Sequence, residues 1–137
     1  MIGISCDASE VGLGVVLFQR YADGSERPLS YASKSLTCTQ RRYSQIQKEA
    51  LSIVYGLKKF HHFLFARPII IVTDHKPLLS LFFSPEKGTP ILAANRLVRW
   101  ALQISQYKFQ IEYRKTSDHG NADVLSRLPC GNDTLFQ

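Results

Sequence analysis

Cysteine is scarce: Cys6, Cys38 and Cys130 are the only three, and none forms a C-x-x-C pair. An odd, widely spaced set argues against a disulfide scaffold and against a cysteine zinc site. It suits a reducing compartment, so an intracellular location in cytoplasm or nucleus is expected. No apolar run approaches the ~18 residues of a membrane span, and Met1-Ile2-Gly3-Ile4 does not open a signal peptide. Internal repeats and low-complexity stretches are missing too, which sets aside repeat architectures. Acidic residues are few, 11 Asp and Glu against 17 Lys and Arg.

What is present fits one ordinary domain. The 137 residues are 45% hydrophobic and 11% aromatic, enough to bury about two thirds of the unfolded surface in a single core. The charge is concentrated in the middle of the chain. Residues 41–115 hold thirteen basic side chains against Glu49, Asp74, Glu86 and Glu112, whereas both flanks are slightly acidic. A polyanion such as nucleic acid is a reasonable partner for such a distribution; solubility is the plainer reading.

The patterning predicts a mixed sheet with helices on it. Ile2, Ile4 and Cys6 alternate with Gly3, Ser5 and Asp7, the period of a strand. Val15 to Gln19 and Pro28 to Ala32 read as two further strands, the last two separated by the turn cluster Ala22-Asp23-Gly24-Ser25, so an antiparallel meander is expected. The period then changes. Tyr43, Ile46, Ala50, Ile53, Leu57, Phe60 and Leu64 recur every three or four residues, predicting one helix over roughly 40–64 capped by Thr39. Ile69 to Thr73 is a continuous β-branched run, as in a parallel strand buried on both faces. A short helix is expected over 77–82, a loop over 84–90, and a helix marked by Ala94, Leu97, Ala101 and Ile104. Tyr107 to Arg114 alternates as a fifth strand, and Asn121 can cap a last helix through Leu128. The domain is placed at 1–129, with 130–137 as a tail or linker stub.

Chemistry is expected at the strand ends. The first strand and the Ile69–Val72 strand are joined through the long helix, which would run them parallel as neighbours. Asp7 and Asp74 close them, at the carboxyl ends where α/β sheets bind ligands. Glu49 lies about 80° from the apolar centre of the long helix, at its margin and able to look along the sheet rather than out to water. Asp123 falls in the first turn of the last helix, where an anion is favoured. Four converging carboxylates repel one another unless a divalent cation lies among them, and an all-oxygen set suits Mg²⁺ or Mn²⁺ better than zinc. Each acid also has a plainer role open to it. Asp7 can make an Asx-turn, Glu49 can face solvent, Asp74 can cap a helix and Asp123 can serve only the helix dipole.

The residues themselves resemble a family. Cys6-Asp7-Ala8-Ser9 with Gly12-Leu13-Gly14, Tyr31-Ala32-Ser33-Lys34-Ser35-Leu36, Gln47-Lys48-Glu49-Ala50-Leu51, Thr73-Asp74-His75-Lys76-Pro77-Leu78 and Asn121-Ala122-Asp123-Val124-Leu125-Ser126-Arg127-Leu128-Pro129 occur in order. Together they look like the ribonuclease H domain of gypsy-type long-terminal-repeat retrotransposon polyproteins, from about Ile4 to Pro129. The resemblance implies an α/β ribonuclease H-like fold: a five-stranded mixed sheet, three strands antiparallel and the rest parallel, with flanking helices. It implies a metal-dependent endoribonuclease acting on the RNA strand of RNA/DNA hybrids, with two Mg²⁺ (or Mn²⁺) held by Asp7, Glu49, Asp74 and Asp123. It also implies a polymerase domain upstream and an integrase downstream, and no membrane partner. Charge nominates Lys76, Arg96, Arg99, Arg114 and Lys115 for phosphate contacts. His119, four residues before Asp123, is a possible auxiliary in proton transfer; His75 is expected to shape the corner after its strand. A non-catalytic remnant of the same fold, binding nucleic acid without turnover, is the alternative. An integrase core fits less well, because its order would place a Glu after both strand acids.

Overall fold

A computed structural model describes residues 1–75 and 91–115. The strands are β1 (Ile2–Ala8), β2 (Gly12–Arg20), β3 (Glu26–Ser35), β4 (Pro68–Thr73) and β5 (Lys108–Tyr113). Between them lie α1 (Cys38–Arg41), α2 (Gln45–Lys59), α3 (His61–Leu64) and α4 (Ile91–Ile104). The expected helices over 77–82 and 121–128, the loop over 84–90 and the tail lie outside the described residues.

The strands form one sheet in the order β3-β2-β1-β4-β5. β1, β2 and β3 pair antiparallel, while β4 pairs parallel with β1 and β5 parallel with β4. This is the mixed sheet expected from the sequence. β4 is buried from Ile69 to Thr73, consistent with its unbroken β-branched run. The first three strands are longer at their ends than alternation alone indicates, because ladder hydrogen bonds carry pairing through Gly12, Gly14, Ser33 and Ser35. The β2–β3 register slips between Leu17 and Phe18, where Pro28 enters β3. Proline has no N–H to donate to a ladder and is tolerated at such a bulge on an edge strand.

The expected single helix over 40–64 is three pieces. Thr37 caps α1 and Ser44 caps α2, each in a capping box with the Gln three residues on. These two reciprocal sets of hydrogen bonds satisfy the chain locally and re-aim it between them. The cap of the long helix is therefore Ser44, not Thr39. Phe60, at φ −109° and ψ 27°, ends α2 before α3 begins. The apolar period nonetheless marks the core, since Ala50, Ile53, Leu57, Phe60 and Leu64 pack with Ile4, Val15, Leu17, Ile69, Ile71, Leu97 and Ile104.

α2 lies against β1 and β2 on one side and α4 on another. Gly56 permits the close approach to the sheet: a Cβ there would stand 2.8 Å from Val15 Cγ1 and 3.1 Å from Ile4 Cδ1. On the opposite sheet face, Phe18, Ile70 and Val72 form a smaller apolar cluster. Arg20 donates to Glu26 (Nε, 2.9 Å) and to Glu112 (Nη2, 2.7 Å), and Arg114 grips both oxygens of Glu26 at 2.9 and 2.8 Å. This partly buried network ties the β2–β3 hairpin to β5.

Candidate metal centre and active site

The parallel register brings the two strand acids together. Cys6 pairs with Thr73 as the last β1–β4 pair, so Asp7 and Asp74 are the next residues on strands about 4.8 Å apart. Glu49 comes from the second turn of α2. It is 2% exposed, turned toward the sheet from the margin of the apolar stripe. The reason lies in the small residues: Glu49, Ser52 and Gly56 share one stripe of α2 by the helical period. Ser52 is wholly buried, and Gly56 touches the sheet. The large apolar side chains must serve both the sheet and α4, so their centre does not mark the side that meets the sheet.

One carboxylate oxygen from each of Asp7, Glu49 and Asp74 lies within 4.8 Å of the other two. Asp7 is 2% exposed and Asp74 half-buried. Gln45 donates from Nε2 to Glu49 Oε1 at 2.9 Å and to the Ala8 carbonyl at 3.2 Å. Glu49 Oε2 is buried with no hydrogen-bond partner, which is costly for a charged oxygen. The Glu49 pKa is accordingly pushed up to about 9, first by burial and then by the negative charges of Asp74 and Asp7; the Gln45 amide and the Ala8 backbone favour the charged form and offset this only in part. Burial likewise raises the neighbouring Cys6 thiol, with Glu49 and Asp7 adding to the effect. Hard oxygen donors with one orphaned oxygen, crowded until one acid holds its proton, fit a divalent cation as Mg²⁺ or Mn²⁺. Beside them opens a cleft of about 410 Å³ lined by Ala8, Ser9, Glu10, Val11 and Gln45.

A family described as the RNase H-like domain found in reverse transcriptase matches residues 1–107. The chain belongs to that family. The matched span contains Asp7, Glu49 and Asp74. The retrovirus-related Pol polyprotein from transposon 297 of Drosophila melanogaster is 38% identical over 125 residues, covering 91% of this chain and 11% of that protein. The transposon Tf2-3 polyprotein of Schizosaccharomyces pombe is 35% identical over 127 residues, 91% of this chain and 9% of that one. The chain thus spans about a tenth of the length of these relatives. Solved structures share the RNase H fold at low identity. RNase H1 from the halophilic archaeon Halobacterium salinarum NRC-1 aligns with a TM-score of 0.68 at 16% identity, covering 90% of this chain and 92% of that one. LC11-RNase H1, solved in complex with an RNA/DNA hybrid, gives 0.70 at 15% identity, with 91% and 93% covered.

Within this RNase H-like domain the other nominated residues that the structure describes lie on α4, just after β5 and just after β4. Arg96 is half-buried with its guanidinium carbon 4.1 Å from the Tyr43 ring centre, and Tyr43 in turn meets Trp100 at 6.1 Å. Arg99 and Lys115 are exposed. Arg114 is engaged by Glu26. His75 has its backbone N–H bonded to Thr73 Oγ1 at 3.2 Å, and burial lowers its pKa against the opposing pull of Asp74. Asp123, Lys76 and His119 lie outside the described residues. Two residues that sequence reasoning passed over hold the site's rim. Gln45 stands one helical turn before Glu49, and Lys48 is buried with Nζ reaching the Glu10 carbonyl at 3.5 Å. The spacing of Gln45 to Glu49, four apart on a helix, was the available signal for the first.

Proposed function

We propose that this domain is a divalent-metal-dependent endoribonuclease that cleaves the RNA strand of RNA/DNA hybrids. The observation that carries the reading is the convergence of Asp7, Glu49 and Asp74 oxygens within 4.8 Å, with one buried Glu49 oxygen lacking any partner. Family membership supports the same chemistry, and a relative of the same fold was solved with an RNA/DNA hybrid. Asp7, Glu49 and Asp74 would hold two Mg²⁺ (or Mn²⁺), with Asp123 as the fourth ligand. The chemistry that such ions supply when bound is activation of a water and neutralisation of charge on the leaving 3′-oxygen, giving 5′-phosphate and 3′-hydroxyl ends. The protein's part is to bring the acids together on two parallel strands and one helix, and to exclude water from Asp7 and Glu49. Arg96, Arg99 and Lys115, with Lys76, are proposed to follow the phosphate path; Arg114 would have to leave Glu26 to join them. In its polyprotein the domain would sit after a polymerase and before an integrase.

Asp74→Asn tests the reading. The variant keeps the shape of the side chain and, being half-buried, the fold; Mg²⁺-dependent hybrid cleavage should fall by about 10³-fold or more. Folding is followed by circular dichroism and cleavage by gel. Undiminished cleavage by pure variant, or salt-sensitive hybrid binding by wild type without turnover at any Mg²⁺ or Mn²⁺ level, would refute it.

A further inference from the structure

We propose that Gln45 is a positioning residue: it ties Glu49 Oε1 to the carboxyl end of β1, so that Oε2 is the oxygen left for a divalent ion. The inference rests on the metal-site reading above and concerns a residue with no charge of its own. Gln45 is the first residue of α2 and is exposed, yet its amide nitrogen is doubly engaged. One hydrogen goes to Glu49 Oε1 at 2.9 Å and the other to the Ala8 carbonyl at 3.2 Å. A primary amide has two N–H donors, and both are used here.

The consequence for Glu49 is an asymmetric carboxylate. Oε1 is satisfied and directed, whereas Oε2 is buried with no hydrogen-bond partner. The last torsion of a free carboxylate is broad, so its oxygens sweep a wide arc. The Gln45 bond narrows that arc, whichever of the two equivalent oxygens it holds, and spares an incoming ion the cost of ordering the group. The β1–β2 loop that follows is held from the same helix through buried Lys48 and the Glu10 carbonyl. Ser9 stiffens the loop internally by accepting from the Val11 and Gly12 N–H groups. α2 therefore carries a metal-facing acid together with two side chains that clamp the end of β1 and the loop beside it.

The test compares wild type, Gln45→Ala and Gln45→Met, all as the full chain. Calorimetric titration with Mn²⁺ without nucleic acid reads ion binding directly; hybrid cleavage at saturating metal gives kcat and KM. Both variants should bind Mn²⁺ about tenfold more weakly, the scale of lost support around a metal ligand. Their kcat should fall while KM for the hybrid stays within about twofold, because the lost contact is to Glu49 and not to substrate. Unchanged Mn²⁺ affinity overturns the proposal, and unchanged affinity with a raised KM assigns Gln45 to substrate contact instead. Wild type that binds Mn²⁺ but cleaves nothing refutes the nuclease reading alone, and calorimetry still decides the role of Gln45. Wild type that binds no Mn²⁺ refutes both.

Discussion

Replacing Glu49 by glutamine removes a group that the metal-free protein holds at a cost. The native carboxyl has its pKa near 9, while in the unfolded chain it ionises at its ordinary value of 4.5. Between those limits the native state binds the extra proton, so the contribution of this group to metal-free stability is fully present below pH 4.5 and is lost as pH rises toward 9. Raising pH from 5.5 to 8 crosses about 2.5 pH units at about 1.4 kcal/mol each, a ceiling of about 3.5 kcal/mol. Water entry and relaxation around the three acids reduce this, and about 2 kcal/mol is the expected loss. A glutamine amide does not ionise and carries no such cost. In EDTA at pH 8 the Glu49→Gln variant should melt about 6–10 °C above wild type, and the gap should close toward pH 5.5. His75 works in the opposite sense: its lowered pKa means that acid below about 6.5 destabilises the fold. Comparing the two proteins at each pH cancels that contribution. Excess Mg²⁺ at pH 8 should raise the melting temperature of wild type but not of the variant, since binding to the native state stabilises it by mass action. Thermal melts followed by circular dichroism across pH, with EDTA or Mg²⁺, measure all of this. A variant less stable than wild type in EDTA at pH 8 would refute the account of Glu49 as a buried acid awaiting an ion.

Two further outcomes are expected. Arg99→Ala should weaken hybrid binding uniformly across sequences and lower the slope of log affinity against log salt by about one, measured by fluorescence anisotropy; an unchanged slope removes Arg99 from the phosphate path. Gly3→Ala should cost about 3 kcal/mol in urea unfolding, because its Cβ would stand 2.6 Å from the Ile70 carbonyl oxygen and 2.7 Å from Phe18 Cζ. The carbonyl belongs to a paired strand and cannot yield, so a loss below about 1 kcal/mol would mean that β1 and β4 are not so closely apposed.

The sheet was legible because its causes are local. Alternation in β1, the β-branched run of β4 and the turn at Gly24 each act within a few residues, and the crossover through α2 then makes β1 and β4 parallel neighbours. The three-helix form of residues 38–64 could be read only in part. Apolar period reports which side chains enter the core, but Thr37 and Ser44 decide where the helices start, through hydrogen bonds that an apolar pattern does not register.

The candidate site divides in the same way. The sequence alone determined which acids stand at strand ends and that their carboxylates offer only oxygen donors. Only the tertiary structure decided that Glu49 is buried, that Oε2 is left without a partner while Oε1 is held, and that Arg114 is committed to Glu26. Strand ends and residue types follow from covalent order. Burial and charge pairing depend instead on which surfaces meet, and α2 meets the sheet along Glu49, Ser52 and Gly56, where small side chains let the backbones come close.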